Sequence, residues 1–247
     1  MDTTGCRALV TGAGRRIGAA IALALGEAGM DVAVHYSGSA QGAEQSCAAL
    51  AKMGRRACAF QADLSDWAQA EALLPRVVAQ MGPVRVLVNS AAIFERSDLV
   101  DQSQAQWRRH MAINLEAPML LMQHFARQWQ SDQPPDGAGR IVNILDRRVL
   151  APPPGHLAYN AAKGALWSLT RVAARELAPH ITVNGVGPGP ILPAAGEPLE
   201  QFAKVIAATP MQRSGTPQEV ADAVLYFIQN GFVTGQMICI DGGEHLL

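Results

Sequence analysis

The segment Thr11-Gly12-Ala13-Gly14-Arg15-Arg16-Ile17-Gly18 constrains this chain more than any other. It continues an apolar run, Arg7-Ala8-Leu9-Val10-Thr11, that reads as a buried strand. After it, Ile17, Ile21 and Leu25 recur at helical spacing, with Ala20, Ala24 and Ala28 on the adjoining face and Gly29 as the stop. A strand that passes through glycines into an amphipathic helix opens a βαβ unit. Glycine lets the backbone approach a pyrophosphate, and the helix N-terminus supplies free N–H groups and a positive dipole end. The glycines fall at 12, 14 and 18, which is not the GxGxxG spacing, and an ordinary βα turn also uses glycine. The position between the first strand and a clean helix favours a dinucleotide site at Gly12, Arg15, Arg16 and Ile17.

The same alternation runs along the chain. Strands are expected at 32–35, 57–61, 84–88, 140–145, 181–186 and 237–240. Helices are expected near 41–53, 66–81, 104–130, 159–177 and 217–229. The pattern predicts an α/β fold, a doubly wound parallel sheet with helices on both faces and the ligand outside the carboxyl ends of the strands. Residues 187–210 are rich in proline and glycine and read as irregular, with 188–210 a loop that covers the substrate. The stretch 131–139 is too short for a linker, so residues 1–247 are read as one domain.

Composition sets the outer limits. A 49% hydrophobic content excludes disorder. A formal net charge of −1 argues against nucleic acid or an anionic membrane surface as partner. Neither a basic leader nor a long apolar run is present, so no signal peptide or membrane span is expected. Cys6, Cys47, Cys58 and Cys239 form no CxxC pair and read as reduced thiols of a cytoplasmic protein. The six histidines show no HExxH spacing, and no metal is expected.

Two features speak to chemistry. The predicted second strand ends His35-Tyr36-Ser37-Gly38-Ser39, without the acid that would hold a free ribose 2′-hydroxyl. Hydroxyls at Ser37 and Ser39 with Arg15 nearby suit a 2′-phosphate, which points to NADP rather than NAD. Further on, Tyr159 and Lys163 stand at i and i+4 of a helix and project from one face. An ammonium beside a phenol favours the phenolate, so Lys163 is expected to lower the Tyr159 pKa and tune it for proton transfer.

With Asn89 and Asn114 upstream, these residues resemble the short-chain dehydrogenase/reductase superfamily over essentially the whole chain. The matching pieces are Thr11-Gly12 with Gly18, Asp63-Leu64, Asn89-Ser90-Ala91-Ala92, Asn114, Tyr159 with Lys163, Val183-Asn184 before Gly187-Pro188-Gly189, and Asp241-Gly242-Gly243. The resemblance implies a Rossmann-like sheet, hydride transfer with a nicotinamide cofactor, and assembly as a homotetramer or dimer. It implies that Tyr159 exchanges the proton, Lys163 holds the nicotinamide ribose, and Asn114 supports a water relay. It also implies cofactor contacts at Asp63, Leu64, Asn89, Ala91, Pro188 and Gly189, beside those at the glycine turn and at His35, Tyr36, Ser37 and Ser39.

Two departures narrow the resemblance. The usual pattern has glycine where this chain has Arg16, and serine thirteen residues before the tyrosine, where this chain has Asp146. Both are similar to the pteridine reductases, as are His35-Tyr36, Phe94 and Lys163-Gly164-Ala165-Leu166. In that subfamily the residue matching Arg16 touches pyrophosphate and pterin, and the one matching Phe94 stacks on the pterin. A carboxylate at 146 would repel the oxyanion of a ketone but suits a ring with N–H donors or a C=N nitrogen to be protonated. The expected function is NADPH-dependent reduction of a dihydropterin or dihydrofolate. A ketone reductase of 3-oxoacyl or sugar type and a non-catalytic NADP sensor are the alternatives. His110 and His156 are read as loop or lining residues without an assigned role.

Overall fold

The computed structural model describes residues 3–132, 139–194 and 196–247. Seven parallel strands form one sheet: β1 (Arg7–Val10), β2 (Asp31–Tyr36), β3 (Ala57–Gln61), β4 (Val86–Asn89), β5 (Gly139–Ile144), β6 (Ile181–Pro188) and β7 (Met237–Ile240). Their order is β3-β2-β1-β4-β5-β6-β7. The chain winds outward from β1 in one direction, returns, and winds outward from β4 in the other. The crevice between β1 and β4 is therefore the topological switch point, where ligands of open parallel sheets sit.

Among the described residues the α-helices are α1 (Arg16–Glu27), α2 (Ala40–Lys52), α3 (Trp67–Met81), α4 (Gln104–Met111), α5 (Ala117–Asp132), α6 (Leu157–Glu176), α7 (Leu199–Ala208) and α8 (Pro217–Gln229). The period-two alternation of the strands sends their side chains to two separate cores. Leu9, Leu87, Ile141 and Val183 meet α3, α5 and α6 through Leu73, Leu121, Phe125 and Leu166. Val10, Val88, Val142 and Val186 meet α1 and α8 through Ile21, Leu25, Val224 and Phe227. The doubly wound architecture is as the alternation predicts.

Two stretches add detail to the sequence expectation. Within 104–130, where helices are expected, a π-turn, Ala112–Glu116, separates α4 from α5. The proline-rich stretch 187–210 is not wholly irregular: Leu199–Ala208 is helical, beginning just after Pro198. No residue of α7 is buried, so the helix lies on the body of the protein without entering its core. The stretch 131–139, read as too short for a linker, falls largely outside the described residues; α5 runs to Asp132 and β5 starts at Gly139. Among the described residues no helix is long and apolar enough to cross a membrane.

Candidate active site

The site lies at the carboxyl ends of β1, β4, β5 and β6. At β1, Gly12 has a φ of +67°, and a Cβ there would stand 2.9 Å from the Ala91 Cα. At Gly18 a Cβ would stand 2.2 Å from the Gly12 carbonyl oxygen. Glycine is required at both positions by close approach of backbone. Thr11 Oγ1 accepts the N–H groups of Ser90 and Ala91 at 2.9 and 3.0 Å, tying the turn to the end of β4. Arg15 is exposed ahead of α1. Ile17 packs its side chain toward the α1–α8 core.

Arg16 adopts a left-handed φ of +54°, a strained conformation for a long side chain. The glycine that the resemblance leads one to expect at this position would adopt that backbone without strain. Here the arginine keeps the geometry, and its Nη2 donates to the Pro193 carbonyl at 2.8 Å and to Leu192 at 3.4 Å. It thereby joins the glycine turn to the segment that leads into α7.

His35 is placed otherwise than the sequence suggests. It is 1% exposed, and both ring nitrogens are engaged. Nδ1 accepts the Gly12 N–H at 3.1 Å, which leaves the proton on Nε2 to be donated to the Ala62 carbonyl at 3.2 Å. Its ring holds the turn from below rather than lining the cleft. Tyr36 is half-buried, Ser37 is exposed, and Ser39 packs so closely on Gly14 that a Cβ there would meet its hydroxyl at 2.4 Å. Asp63 gives Oδ1 to the backbone N–H and hydroxyl of Ser65, at 2.9 and 2.7 Å, which holds its carboxyl below the usual range. The Leu64 side chain belongs to the core, so only its main chain is available to a ligand.

At the ends of β4 and β5, Asn89 Nδ2 donates to Asn143 Oδ1 at 2.8 Å, and Asn143 donates in turn to Thr170 at 2.9 Å. Asn89 Oδ1 is buried without a partner, an acceptor at the edge of the crevice. Asn114 sits inside the π-turn and is fully buried. Its amide clamps Ile93 at both N–H and C=O, each at 3.0 Å, and so fixes the residue before Phe94. Beyond β6, Gly189 donates to the Ile240 carbonyl, and a Cβ there would collide with Asp241.

Tyr159, in the first turn of α6, donates its phenol proton to Asp146 Oδ2 at 2.8 Å. Asp146 Oδ1 accepts the Arg148 N–H at 2.8 Å, so the carboxylate caps the short turn that follows it. Lys163 Nζ donates to the Ile144 carbonyl at 2.6 Å and stands 5.9 Å from the Tyr159 ring centre. The expectation that Lys163 lowers the tyrosine pKa is not met in this arrangement. Burial, the Asp146 charge and the hydrogen bond to it all favour the neutral phenol and raise the pKa well above the ordinary value. Burial lowers Lys163 to about 8.

Phe94 meets Tyr159 edge to face, with centroids 4.7 Å apart, and stacks on His156 at 4.1 Å with the planes 10° apart. The Arg148 guanidinium lies 4.7 Å from the Phe94 centroid, and its Nη1 is 3.4 Å from His156 Nδ1. That short separation puts Arg148 and His156 on the same side of the ring. Burial, then the charges of Arg148 and Arg96, push His156 down to about 4, so it is a neutral ring. The sequence reading left Arg148 and His156 without a role. The available signal was their spacing, two residues after Asp146 and three before Tyr159.

At the end of β7, Cys239, Asp241 and His245 bring one donor atom each within 4.8 Å of the others. The Asp241 carboxylate already accepts from the Gly243 and His245 backbone and from the His245 ring. Burial, followed by the Asp241 and Asp146 charges, raises the Cys239 thiol to about 11.

Comparison with known proteins agrees with this geometry. A family model described as Enoyl-(Acyl carrier protein) reductase matches residues 12–245. An uncharacterised oxidoreductase of Methylorubrum extorquens is 36% identical over 246 residues, covering 96% of each chain. The 3-oxoacyl-acyl-carrier-protein reductase FabG of Staphylococcus aureus is 34% identical, covering 97% of this chain and 98% of its own. The crystal structure of FolM alternative dihydrofolate reductase 1 from Brucella canis, complexed with NADP, superposes with a TM-score of 0.93. It is 37% identical and covers 100% of this chain and 96% of its own. The chain belongs to the short-chain dehydrogenase/reductase superfamily.

Buried His35 makes stability depend on pH. Burial lowers its pKa from 6.5 to about 4, so below pH 6.5 the unfolded chain binds a proton that the folded chain resists. The stabilisation is complete above pH 6.5 and is lost as pH falls from 6.5 toward 4, at most about 3 kcal/mol. His156 acts in the same direction. Urea unfolding across this range should show falling stability with a shallower slope in His35→Gln. An identical slope in that variant would refute the assignment.

Proposed function

We propose that this oxidoreductase is an NADPH-dependent reductase whose substrate is a dihydropterin or dihydrofolate. The observation that carries this reading is the Tyr159–Asp146 hydrogen bond of 2.8 Å at the position where related chains have serine. A ketone gains negative charge on oxygen during reduction and needs a donor there; a carboxylate repels it. A pterin ring presents N–H groups that a carboxylate accepts and a C=N nitrogen that Tyr159 protonates. Phe94, 37% exposed and held by Asn114 through Ile93 and by the His156 stack, offers a flat apolar surface beside Tyr159. The FolM resemblance supports the same substrate class.

The residues present fit a dinucleotide. Close backbone packing at Gly12 and Gly18 sets the shape of the turn before α1, and Asn89 Oδ1 is a buried acceptor without a donor. Gly12, Arg15, Arg16, Ile17, Tyr36, Ser37, Ser39, Asp63, Leu64, Asn89, Ala91, Tyr159, Lys163, Pro188 and Gly189 would hold it, with His35 setting the turn. Bound NADPH supplies the hydride. Tyr159 supplies the proton, and its raised pKa keeps that proton in place until the substrate draws it. Lys163, anchored on the Ile144 carbonyl, holds its Nζ 5.9 Å from the Tyr159 ring centre. Segment 188–210, including α7, covers the substrate, and the Arg16 bonds to Leu192 and Pro193 hold its near end. We place the protein in the cytoplasm as a single-domain homotetramer assembled through α4, α5 and α6.

A 3-oxoacyl thioester is the second reading, on the FabG resemblance. NADPH oxidation with dihydrobiopterin, dihydromonapterin, dihydrofolate, a 3-oxoacyl thioester and simple ketones separates the two. Tyr159→Phe should lower kcat by about 10²-fold or more with cofactor binding retained. Asp146→Ser should impair pterin turnover and improve ketone turnover. Pterin turnover unchanged by that substitution across a pH series would remove the role given to Asp146.

Cofactor choice is tested separately. The wild type should prefer NADPH, and Arg15→Ala should weaken NADPH use more than NADH use. Equal use of both cofactors by the wild type would contradict it.

A further inference from the structure

The amino ends of the central strands, opposite the active site, carry three arginines side by side. Arg7 begins β1, Arg85 immediately precedes β4, and Arg140 lies at the start of β5. Backbone bonds join them in a row: Arg85 donates to the Arg7 carbonyl at 2.8 Å, and Arg140 donates to the Arg85 carbonyl at 3.0 Å. Arg140 spends its guanidinium on the carbonyls of Ile228 and Gly139. Among the described residues, Arg7 and Arg85 find no such acceptors for their side chains. The Nε of each is buried without a hydrogen-bond partner. Among the described residues none of the three forms an ion pair. Asp31, in register with Arg7 on β2, gives Oδ1 to the Arg56 N–H instead.

Arg7 and Arg85 line one cavity of about 410 Å³ with Gly5, Pro83, Gln128 and Trp129. Gln128 is committed to the Val84 backbone through both amide atoms, and Trp129 lies 5.4 Å from the Arg85 guanidinium. These groups give the cavity a rigid wall, and among the described residues none that lines it is acidic. Buried donors without acceptors are costly, and adjacent arginines repel each other. An oxyanion relieves both, because guanidinium forks match its oxygens in pairs.

We propose that this cavity binds a small multivalent oxyanion of the phosphate class, with Arg7 and Arg85 as its donors. The site is separate from the glycine turn, which lies at the other end of the same strands.

The test is thermal unfolding of the full chain saturated with NADP⁺. Inorganic phosphate at about 10 mM is compared with sodium chloride of equal ionic strength. Phosphate should raise Tm by about 2 °C or more. Arg85→Gln and Arg7→Gln should each remove most of that shift and leave NADPH oxidation unchanged. Calorimetric titration of phosphate into whichever variant folds supplies a second reading. Binding at the glycine turn would be indifferent to both substitutions, so the outcome does not depend on the proposed cofactor. No shift in the wild type, or an undiminished shift in either variant, overturns the proposal.

Discussion

At the carboxyl edge of a parallel sheet the backbone turns away from its strand partners, and buried N–H groups there need acceptors from elsewhere. In this protein side chains supply several of them. Thr11 takes two N–H groups from the end of β4, His35 takes Gly12, Asn114 takes Ile93 and Asp146 takes Arg148. Each bond fixes one wall of the crevice before any ligand arrives. The glycine turn and the Phe94 ring keep their relative positions because Thr11, His35 and Asn114 are buried, and the half-buried Asp146 holds Tyr159 beside them.

The division of the sheet into two cores explains why a cleft can exist at this edge. Apolar side chains are spent on the helices to either side, with Leu9 and Leu87 on one face and Val10 and Val88 on the other. Polar groups are left to the strand ends. At the carboxyl ends they serve the crevice; at the amino ends Arg7, Arg85 and Arg140 gather positive charge.

The fold was legible in the sequence because strand-like runs and 3.6-period helices alternate along most of the chain from Arg7 to Ile240. The Tyr159 and Lys163 pair could be read from local spacing on one helix, whereas Asp146 was singled out only through the family resemblance, as the residue in the usual serine position. What escaped depends on distant chain segments. His35 ends buried because Gly12 and Ala62 close on it from two other loops. The Phe94–His156–Arg148 cluster joins residues from three separate connections, and no periodicity reports such a meeting. The high pKa of Tyr159 follows from burial and from the Asp146 carboxylate, whereas the sequence suggested only Lys163. Helix α7 was hidden by the prolines around it, although Pro198 stands at its N-cap, where proline does not break a helix.

The π-turn at Ala112–Glu116 also limits how this chain can vary in length. It accommodates one residue more than an α-helix would over the same turn. Deleting a single residue there would restore a regular helix and leave α4 and α5 in nearly their present phase, because the wide turn already absorbs the extra residue. The loss would fall on Asn114, which sits inside the wide turn and holds both the N–H and the C=O of Ile93. Surface connections elsewhere in the protein can gain or lose residues over evolutionary time. Between Gln104 and Asp132 the cost of a deletion therefore depends on where it falls: at the wide turn it costs the Asn114 clamp, and elsewhere it turns part of an apolar stripe by about 100°.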